Sequence, residues 1–267
     1  MFTNEVIGEI AKVADELRVG RAALLAVAEV ESGGRVFARV GGQDLPLIRF
    51  EGHYFDRRLA GARRSRARAE GLSSPKAGAV ANPPTQAERW AILERAVAID
   101  RRAALESTSW GIGQVMGAHW DWLGYASVDG LVSDARSGAA GQARLMGRFI
   151  SRAGLRPALR ARDWAAFARG YNGPGYEANG YHTRMAAAYR RFAAMDLAAH
   201  APLPAAAANA LPDLHPAATG AKNVRRVGLR GLARLAEWLG AQPSRPTASA
   251  ADASRGQDGE ALLDRSR

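Results

Sequence analysis

A glutamate at the end of an apolar segment is the first candidate for chemistry in this sequence. Glu31 closes the run LLAVAEV and is followed by Ser32, Gly33 and Gly34. A helix that ends here would hold the carboxyl in apolar surroundings beside the last backbone carbonyl groups, and both disfavour the charged form. A glutamic acid that stays protonated near neutral pH can protonate a leaving-group oxygen. Considered alone, the same residues also fit a surface glutamate beside a helix end.

A glycine-rich motif, SWGIGQVMG at 109–117, is the second candidate. Its Gly111 and Gly113 stand beside Gln114 and Met116, a combination typical of backbone that a ligand or another helix approaches closely. A tight entry into a helix is the structural alternative for this motif.

A third motif, ARGYNGP at 168–174, ends a predicted helix at Gly173 and Pro174. The side chains of Tyr171 and Asn172 can hydrogen-bond a polar substrate or a catalytic carboxylate. An ordinary helix end is the alternative here.

In this order and spacing the three motifs resemble the lysozyme-like superfamily of murein-cleaving enzymes. Its lytic transglycosylases and goose-type members carry E-S, then G-L-M-Q, then A-Y-N. The closer resemblance is to the N-acetylmuramidase family of phage endolysins and related bacterial proteins, over about residues 20–192, with support from LPLIRFEGHYF at 45–55. Three positions depart from these patterns: Gly52 stands for a usual arginine, Met116 follows the glutamine by two residues, and Gly170 precedes the tyrosine.

The resemblance implies an activity and a set of site residues. The implied reaction is cleavage of the β-1,4 bond between N-acetylmuramic acid and N-acetylglucosamine in peptidoglycan, with Glu31 as the general acid. Ser32 is implied to orient or assist the reacting sugar. We expect no cofactor, and no metal because no histidine pair has the spacing of metal ligands. The side chains implied to line the glycan cleft are Gln114, Met116, Tyr171 and Asn172.

Hydrolysis and transglycosylation differ in their need for a second carboxylate. Most glycosidases use two carboxylates, whereas a lytic transglycosylase needs one, because a hydroxyl of the muramic acid attacks and a 1,6-anhydro product forms. Glu51 is the candidate for the second carboxylate, since it directly follows an apolar strand beside His53 and two aromatic residues. His53 is a candidate substrate contact. The alternatives are a structural ion pair of Glu51 with an arginine of 57–68, and a buried structural role for His53. We favour hydrolysis and keep lytic transglycosylation as the alternative.

Helical periodicity dominates the elements that must position these residues. Apolar residues recur at helical spacing over 6–17, and 21–31 is more uniformly apolar. The fold class is therefore mainly α, of an α+β lysozyme-like kind with at most a small β-hairpin. We predict one strand at 45–50, a basic loop at 56–84, and further helices at 85–105, 112–123, 134–153, 163–170 and 180–195.

Aromatic residues divide the chain. Of the 19 Phe, Trp and Tyr residues, 18 precede residue 196, and large side chains are needed to fill a core. We therefore expect a lysozyme-like N-acetylmuramidase domain at 1–195. We expect a Pro/Ala-rich linker at 196–221, a basic amphipathic helix at 222–240 and a disordered tail at 241–267.

The net charge of +11 indicates an anionic partner. Peptidoglycan is the expected partner, and the arginines of 57–68 and the segment 222–240 are candidates for contact with an anionic membrane or lipopolysaccharide. A nucleic-acid-binding protein is a rival class that the charge favours, but no nucleic-acid-binding motif is present, so we expect no nucleic acid. A non-catalytic glycan-binding protein is another rival, although it would not need Glu31. We expect a monomer.

The sequence also bears on the compartment. The absence of cysteine excludes disulfides, cysteine-ligated zinc and thiol nucleophiles. No segment reaches the ~18 apolar residues of a membrane span, and acidic residues interrupt the N-terminal segment where a signal peptide would be apolar. We therefore expect synthesis in the cytoplasm without a signal peptide, and action on the cell wall, in the periplasm, after release or delivery.

Overall fold

The computed structural model describes residues 1–195 and Leu197. The predicted helix at 222–240 and tail at 241–267 lie outside the described residues, as does the predicted linker apart from Leu197. The described part is mainly α-helical with small antiparallel sheets, which confirms the predicted fold class. No helix in this part is long and apolar enough to cross a membrane.

The helices and strands follow one another along the chain, with two short 3-10 helices at Gly117–His119 and Pro174–Tyr176. The strands are β1 (Phe37–Val40), β2 (Gln43–Pro46), β3 (Ile48–Phe50), β4 (Thr108–Trp110) and β5 (Val115–Met116). The α-helices are α1 (Asn4–Glu16), α2 (Arg21–Ser32), α3 (Gly52–Arg58), α4 (Gly61–Ala69), α5 (Gln86–Val97), α6 (Arg101–Glu106), α7 (Val128–Arg136), α8 (Ala139–Arg152), α9 (Arg156–Ala161), α10 (Trp164–Asn172) and α11 (Tyr181–Ala193).

Helix α2 is the central helix of the core. It is apolar nearly all round and buried from Ala22 to Ala28, as expected of a helix covered on all sides. It packs against α1 and α11, and α1 packs in turn against α8. Gly33 ends α2 with a left-handed backbone, at φ 64°, and donates its N–H to the Glu29 carbonyl. This ending places Glu31 in the last turn of a buried helix.

The strands form a hairpin and a separate three-stranded sheet. Strands β1 and β2 pair around Gly41 and Gly42, whose positive φ values permit the tight turn. The single strand predicted at 45–50 is wrong, because the chain leaves β2 at Leu47 and begins β3 in the other sheet. The three-stranded sheet also exceeds the predicted small hairpin, since β4 and β5 are too short to give an alternating pattern.

Two amide side chains cover the outer edge of β3. Asn82 accepts from the Phe50 N–H at 3.1 Å and donates to the Phe50 carbonyl at 2.8 Å. Gln86 does the same with Ile48, at 2.9 and 3.3 Å. These bonds take the place of the hydrogen bonds that a neighbouring strand would make. The N–H and carbonyl groups of Phe50 and Ile48 on this edge are therefore all paired. They also fix β3 at the position from which Glu51 extends.

Several helix boundaries differ from the prediction. The helix predicted at 112–123 is wrong, because this segment holds β5 and a 3-10 helix. The loop predicted at 56–84 contains α4, which the sequence hides because only Ala67 of its nine residues is buried. The helix predicted at 85–105 is interrupted before Asp100, whose side chain caps the start of α6 by accepting from the Ala103 N–H.

Candidate active site

The fold brings Glu31 against Asn172, which lies 141 positions later in the chain. The Glu31 residue is buried, with 6% of its surface exposed. Asn172 is the last residue of α10 and donates from Nδ2 to Glu31 Oε1 at 2.7 Å. A short bond of this kind to a carboxyl restricts its orientation. The first and third sequence motifs therefore form one site.

Tyr171 connects this pair to the glycine-rich motif. Its hydroxyl donates to the Gly113 carbonyl at 2.7 Å, and its ring stacks on Phe167 and meets Phe149 edge to face. Burial, together with the nearby Glu31 charge, raises the pKa of Tyr171 well above its ordinary value. The phenol therefore stays neutral and acts as a hydrogen-bond donor.

The glycines of the second motif are required by close packing. A Cβ on Gly113 would lie 2.7 Å from Met146 Cβ and 3.0 Å from the Tyr171 hydroxyl. A Cβ on Gly111 would lie 2.9 Å from the Gln142 side chain, and Gly111 also has φ 68°. The close approach predicted from these glycines is therefore made by side chains of α8 and α10.

Gln142 is a residue of the site region that the sequence analysis missed. It is almost fully buried on α8, accepts from the Ile112 N–H at 2.9 Å and donates to the Val36 carbonyl at 3.3 Å. It thus ties the turn of the second motif to the chain just after α2. A polar residue on the otherwise apolar face of α8 was the available signal.

Gln114 and Met116 lie on either side of β5's first residue. Gln114 has a left-handed backbone, at φ 47°, and its Nε2 donates to the Gly111 carbonyl at 2.8 Å. Gln114 is half-buried. Met116 is buried, and its sulfur accepts a hydrogen bond from the Ser109 hydroxyl at 3.1 Å. Both side chains therefore stabilise the turn and the sheet, and their contact with glycan stays a prediction.

Ser32 makes its hydrogen bonds within the end of α2. Its hydroxyl donates to the Ala28 carbonyl at 2.8 Å and accepts from the Gly34 N–H at 3.1 Å. The residue is buried. Its predicted action on the reacting sugar stays a prediction, and its observed contacts hold the chain where Glu31 ends the helix.

Glu51 and His53 belong to a second cluster, at the end of β3. Glu51 is buried and accepts from Arg49 Nε at 2.7 Å, so its partner comes from β3 and not from the arginines of 57–68. Burial raises the pKa of Glu51, and Arg49 opposes this rise. Burial and nearby guanidinium groups, with Arg57 the first of them, lower the pKa of His53 to about 4. His53 is therefore neutral at pH 7, and its 3.6 Å approach to Glu51 is not an ion pair.

The strand register shows how Glu51 relates to the second motif. Arg49 lies opposite Ser109, and Ser109 lies opposite Met116, so the three share one face of the sheet. Glu51 follows Arg49 by two residues and points to the same side. Leu47 accepts the Gly111 N–H, and four residues of extended chain put Glu51 roughly 13 Å further along. Glu51 therefore lies at the opposite end of β3 from the turn that Tyr171 contacts.

Gly52 has no room for the arginine that the resemblance leads one to expect. A Cβ here would lie 2.4 Å from Val80 Cγ2 and 3.1 Å from the Leu72 carbonyl oxygen. The segment after α4 thus closes directly over the start of α3. Close packing against Val80 therefore requires a glycine at position 52 in this chain.

The arginines of 57–68 are mostly paired and helical, not part of a solvated loop. Arg64 donates to the Asp56 carbonyl at 3.1 Å, and Arg57 lies over the Tyr54 ring. Surface charges that are already paired attract an external polyanion less strongly. The other four form ion pairs: Arg58 with Glu106, Arg63 with Asp100, Arg66 with Glu70 and Arg68 with Asp56.

No group of three His, Asp or Glu residues among those the structure describes is arranged to hold a metal ion. Glu31 and Glu51, each in its own cluster, are therefore the acid groups on which a chemical role can be tested directly. The paired acids of α3 and α6, Asp56 and Glu106, are held by arginines.

Comparison with known proteins bears on these observations. A family model described as N-acetylmuramidase matches residues 20–193. Among solved structures, the chain is similar to the crystal structure of a Burkholderia AP3 phage endolysin, with 35% sequence identity, a TM-score of 0.62 and coverage of 71% of each chain. No curated protein matches the chain.

Proposed function

The chain belongs to the N-acetylmuramidase family, and from this premise we propose that it degrades peptidoglycan by cleaving the β-1,4 bond between N-acetylmuramic acid and N-acetylglucosamine. In this proposal Glu31 is the general acid. The observation that carries it is the buried Glu31 carboxyl, held by Asn172 at 2.7 Å. This bond fixes the orientation in which the carboxyl would deliver its proton to the leaving-group oxygen. Tyr171, as a neutral neighbour, adds no charge to the site.

Hydrolysis through Glu51 as a second carboxylate is the favoured chemistry. Glu51 is, with Glu31, one of the two buried glutamates among the described residues, and burial raises its pKa, which supports a catalytic role. Lytic transglycosylation is the second candidate. The observation that favours it is the ion pair between Arg49 and Glu51, since a carboxylate engaged in this way is less free to attack or to activate water.

The partner in this proposal is the glycan strand of peptidoglycan, and the site of action is the cell wall. The paired arginines of 57–68 make electrostatic contact with a membrane or lipopolysaccharide a weaker part of the proposal. A monomer stays the expected oligomeric state in this proposal.

The experiment is mass spectrometry of the soluble products released from purified peptidoglycan by the full chain. Glu31→Gln is expected to lower the rate by about 10²–10⁴-fold while the protein stays folded. Glu29→Gln is the matched control, because Glu29 lies in the same helix, pairs with Arg191 and lies about 200° round from Glu31. Activity of Glu31→Gln within a few-fold of wild type would reject the assignment.

The same products separate the two chemistries. Muropeptides that end in reducing muramic acid indicate a hydrolase and direct attention to Glu51. Products lighter by one water, with anhydro-muramic acid, indicate a transglycosylase that works through Glu31 without a second carboxylate.

A further inference from the structure

Trp122 is an exposed aromatic side chain close to the proposed site. Among the large hydrophobic side chains that the structure describes, Met1 and Trp122 alone are exposed, and 40% of Trp122 is accessible. A single exposed hydrophobic residue needs no special explanation. The position of this one, rather than its exposure, carries the inference.

A chain of ring contacts leads from Trp122 to the catalytic pair. Its indole meets Phe149 edge to face at 5.8 Å, and Phe149 meets Tyr171 at 5.2 Å. The Trp122 ring therefore lies within about 11 Å of the Tyr171 ring, and Asn172 is the next residue. This upper limit is comparable to the length of one disaccharide of a glycan strand. Because Phe149 is buried, it holds the indole in a fixed position relative to Glu31.

We propose that Trp122 stacks on a pyranose ring of the glycan strand, about one disaccharide from the bond that is cleaved. The inference rests on the proposed function and extends it to a distal sugar-binding position. Pyranose rings present C–H groups on one face, and an indole offers a flat apolar partner with a negative face. Exposed aromatic rings among a few polar groups are typical of sites that hold such ligands.

The surroundings of Trp122 favour a sugar over other partners. One isolated ring is far smaller than the hydrophobic patch of a stable protein interface. The exposed Asp121 beside it places a negative charge where an anionic membrane surface would have to approach. A single ring beside a polar neighbour matches one sugar of an elongated strand.

The test compares binding in a background that cannot cleave. Glu31→Gln is combined with Trp122→Ala or with Trp122→Phe, and the affinity for a soluble hexamer of β-1,4-linked N-acetylglucosamine is measured by calorimetry, with pelleting on purified peptidoglycan as a second readout. We expect Trp122→Ala to weaken binding by about 3–10-fold and Trp122→Phe to retain most of the affinity. In the active protein, Trp122→Ala is expected to raise KM more than it lowers kcat.

Trp164→Ala is the matched control. Trp164 is also a partly exposed aromatic residue, packed against Tyr189, at the start of α10. It lies at the other end of α10 from Asn172, and its ring contacts Tyr189 of α11 rather than Phe149. Its replacement should therefore leave glycan affinity unchanged.

Three results would overturn the proposal. One is an unchanged affinity for the hexamer and for peptidoglycan in Trp122→Ala. Another is a lower melting temperature that Trp122→Phe does not restore, which would make the indole a structural support for Phe149. The third is loss of self-association or of binding to anionic vesicles while glycan affinity stays constant. If Glu31→Gln keeps its activity, the catalytic assignment fails. The affinity for the hexamer, which lacks the muramic acid bond of the proposed reaction, then decides the role of Trp122.

Discussion

Replacing Gly113 by alanine tests whether the second motif positions the proposed catalytic residues through packing. The new Cβ would lie 2.7 Å from Met146 Cβ and 3.0 Å from the Tyr171 hydroxyl. Overpacking of a filled core costs about 1–3 kcal/mol, and a buried phenol that loses its acceptor costs about 1–3 kcal/mol more. We therefore expect Gly113→Ala to lower the free energy of unfolding by about 2–6 kcal/mol. Because Tyr171 precedes Asn172, a shift of roughly 1 Å would also lower kcat by about 10²-fold.

Urea unfolding and initial rates on peptidoglycan measure both effects. Gly130→Ala is the control, since a Cβ at Gly130 would meet no atom closer than 3.8 Å and the residue lies in helix α7; this change should stabilise the protein by up to about 1 kcal/mol. Tyr171→Phe removes the bond to Gly113 without the clash, so a double-mutant cycle separates the two contributions. A loss below about 1 kcal/mol in Gly113→Ala, with full activity, would refute the reasoning.

Two further predictions concern pH and the catalytic pair. The pKa of His53 is lowered from 6.5 to about 4, and that of His119 likewise. A lowered histidine pKa contributes stability that is present above pH 6.5 and is lost as the pH falls towards 4, by about 3 kcal/mol for each residue. Urea unfolding at pH 7 and pH 5 should show about 2 kcal/mol of this loss for each residue. Replacing both histidines by glutamine should flatten the dependence, and an unchanged slope would place the titrating groups elsewhere. Asn172→Ala removes a bond to the protonated Glu31 carboxyl worth about 0.5–1.5 kcal/mol, so we expect kcat to fall by about 2–10-fold. A rate within twofold of wild type, measured by product release, would show that Glu31 is oriented by other groups.

The sequence was most informative where function depends on local helix endings. The glycines that follow Glu31 and Asn172 predict a helix C-terminus at each residue. In the structure the two residues are joined by a hydrogen bond. The sequence did not reveal Gln142 as a site residue, because its hydrogen-bond partners Ile112 and Val36 are distant in sequence. No pattern within α8 specifies such partners.

The second motif is where the sequence predicted the local structure least well. The apolar residues of 112–123 recur at a spacing that favours a helix, yet the segment forms β5 and a 3-10 helix. Strand β5 exists because β4 pairs with it on one side and with β3 on the other. Strands of two or three residues depend on such pairing for their stability. Propensity within the segment therefore could not predict them.

The position of Glu51 limits the ways in which it can act. Hydrolases hold their two carboxylates about 5–9.5 Å apart, and Glu51, as the proposed second carboxylate, is fixed at the end of β3 by its bond to Arg49. Its charge is also balanced by Arg49, so removing either partner alone would leave a buried, uncompensated group and destabilise the strand end. Loss of activity in Glu51→Gln would therefore not by itself identify a second catalytic carboxylate. The chemical form of the muramic acid end reports the reaction directly, because it does not depend on whether β3 stays intact.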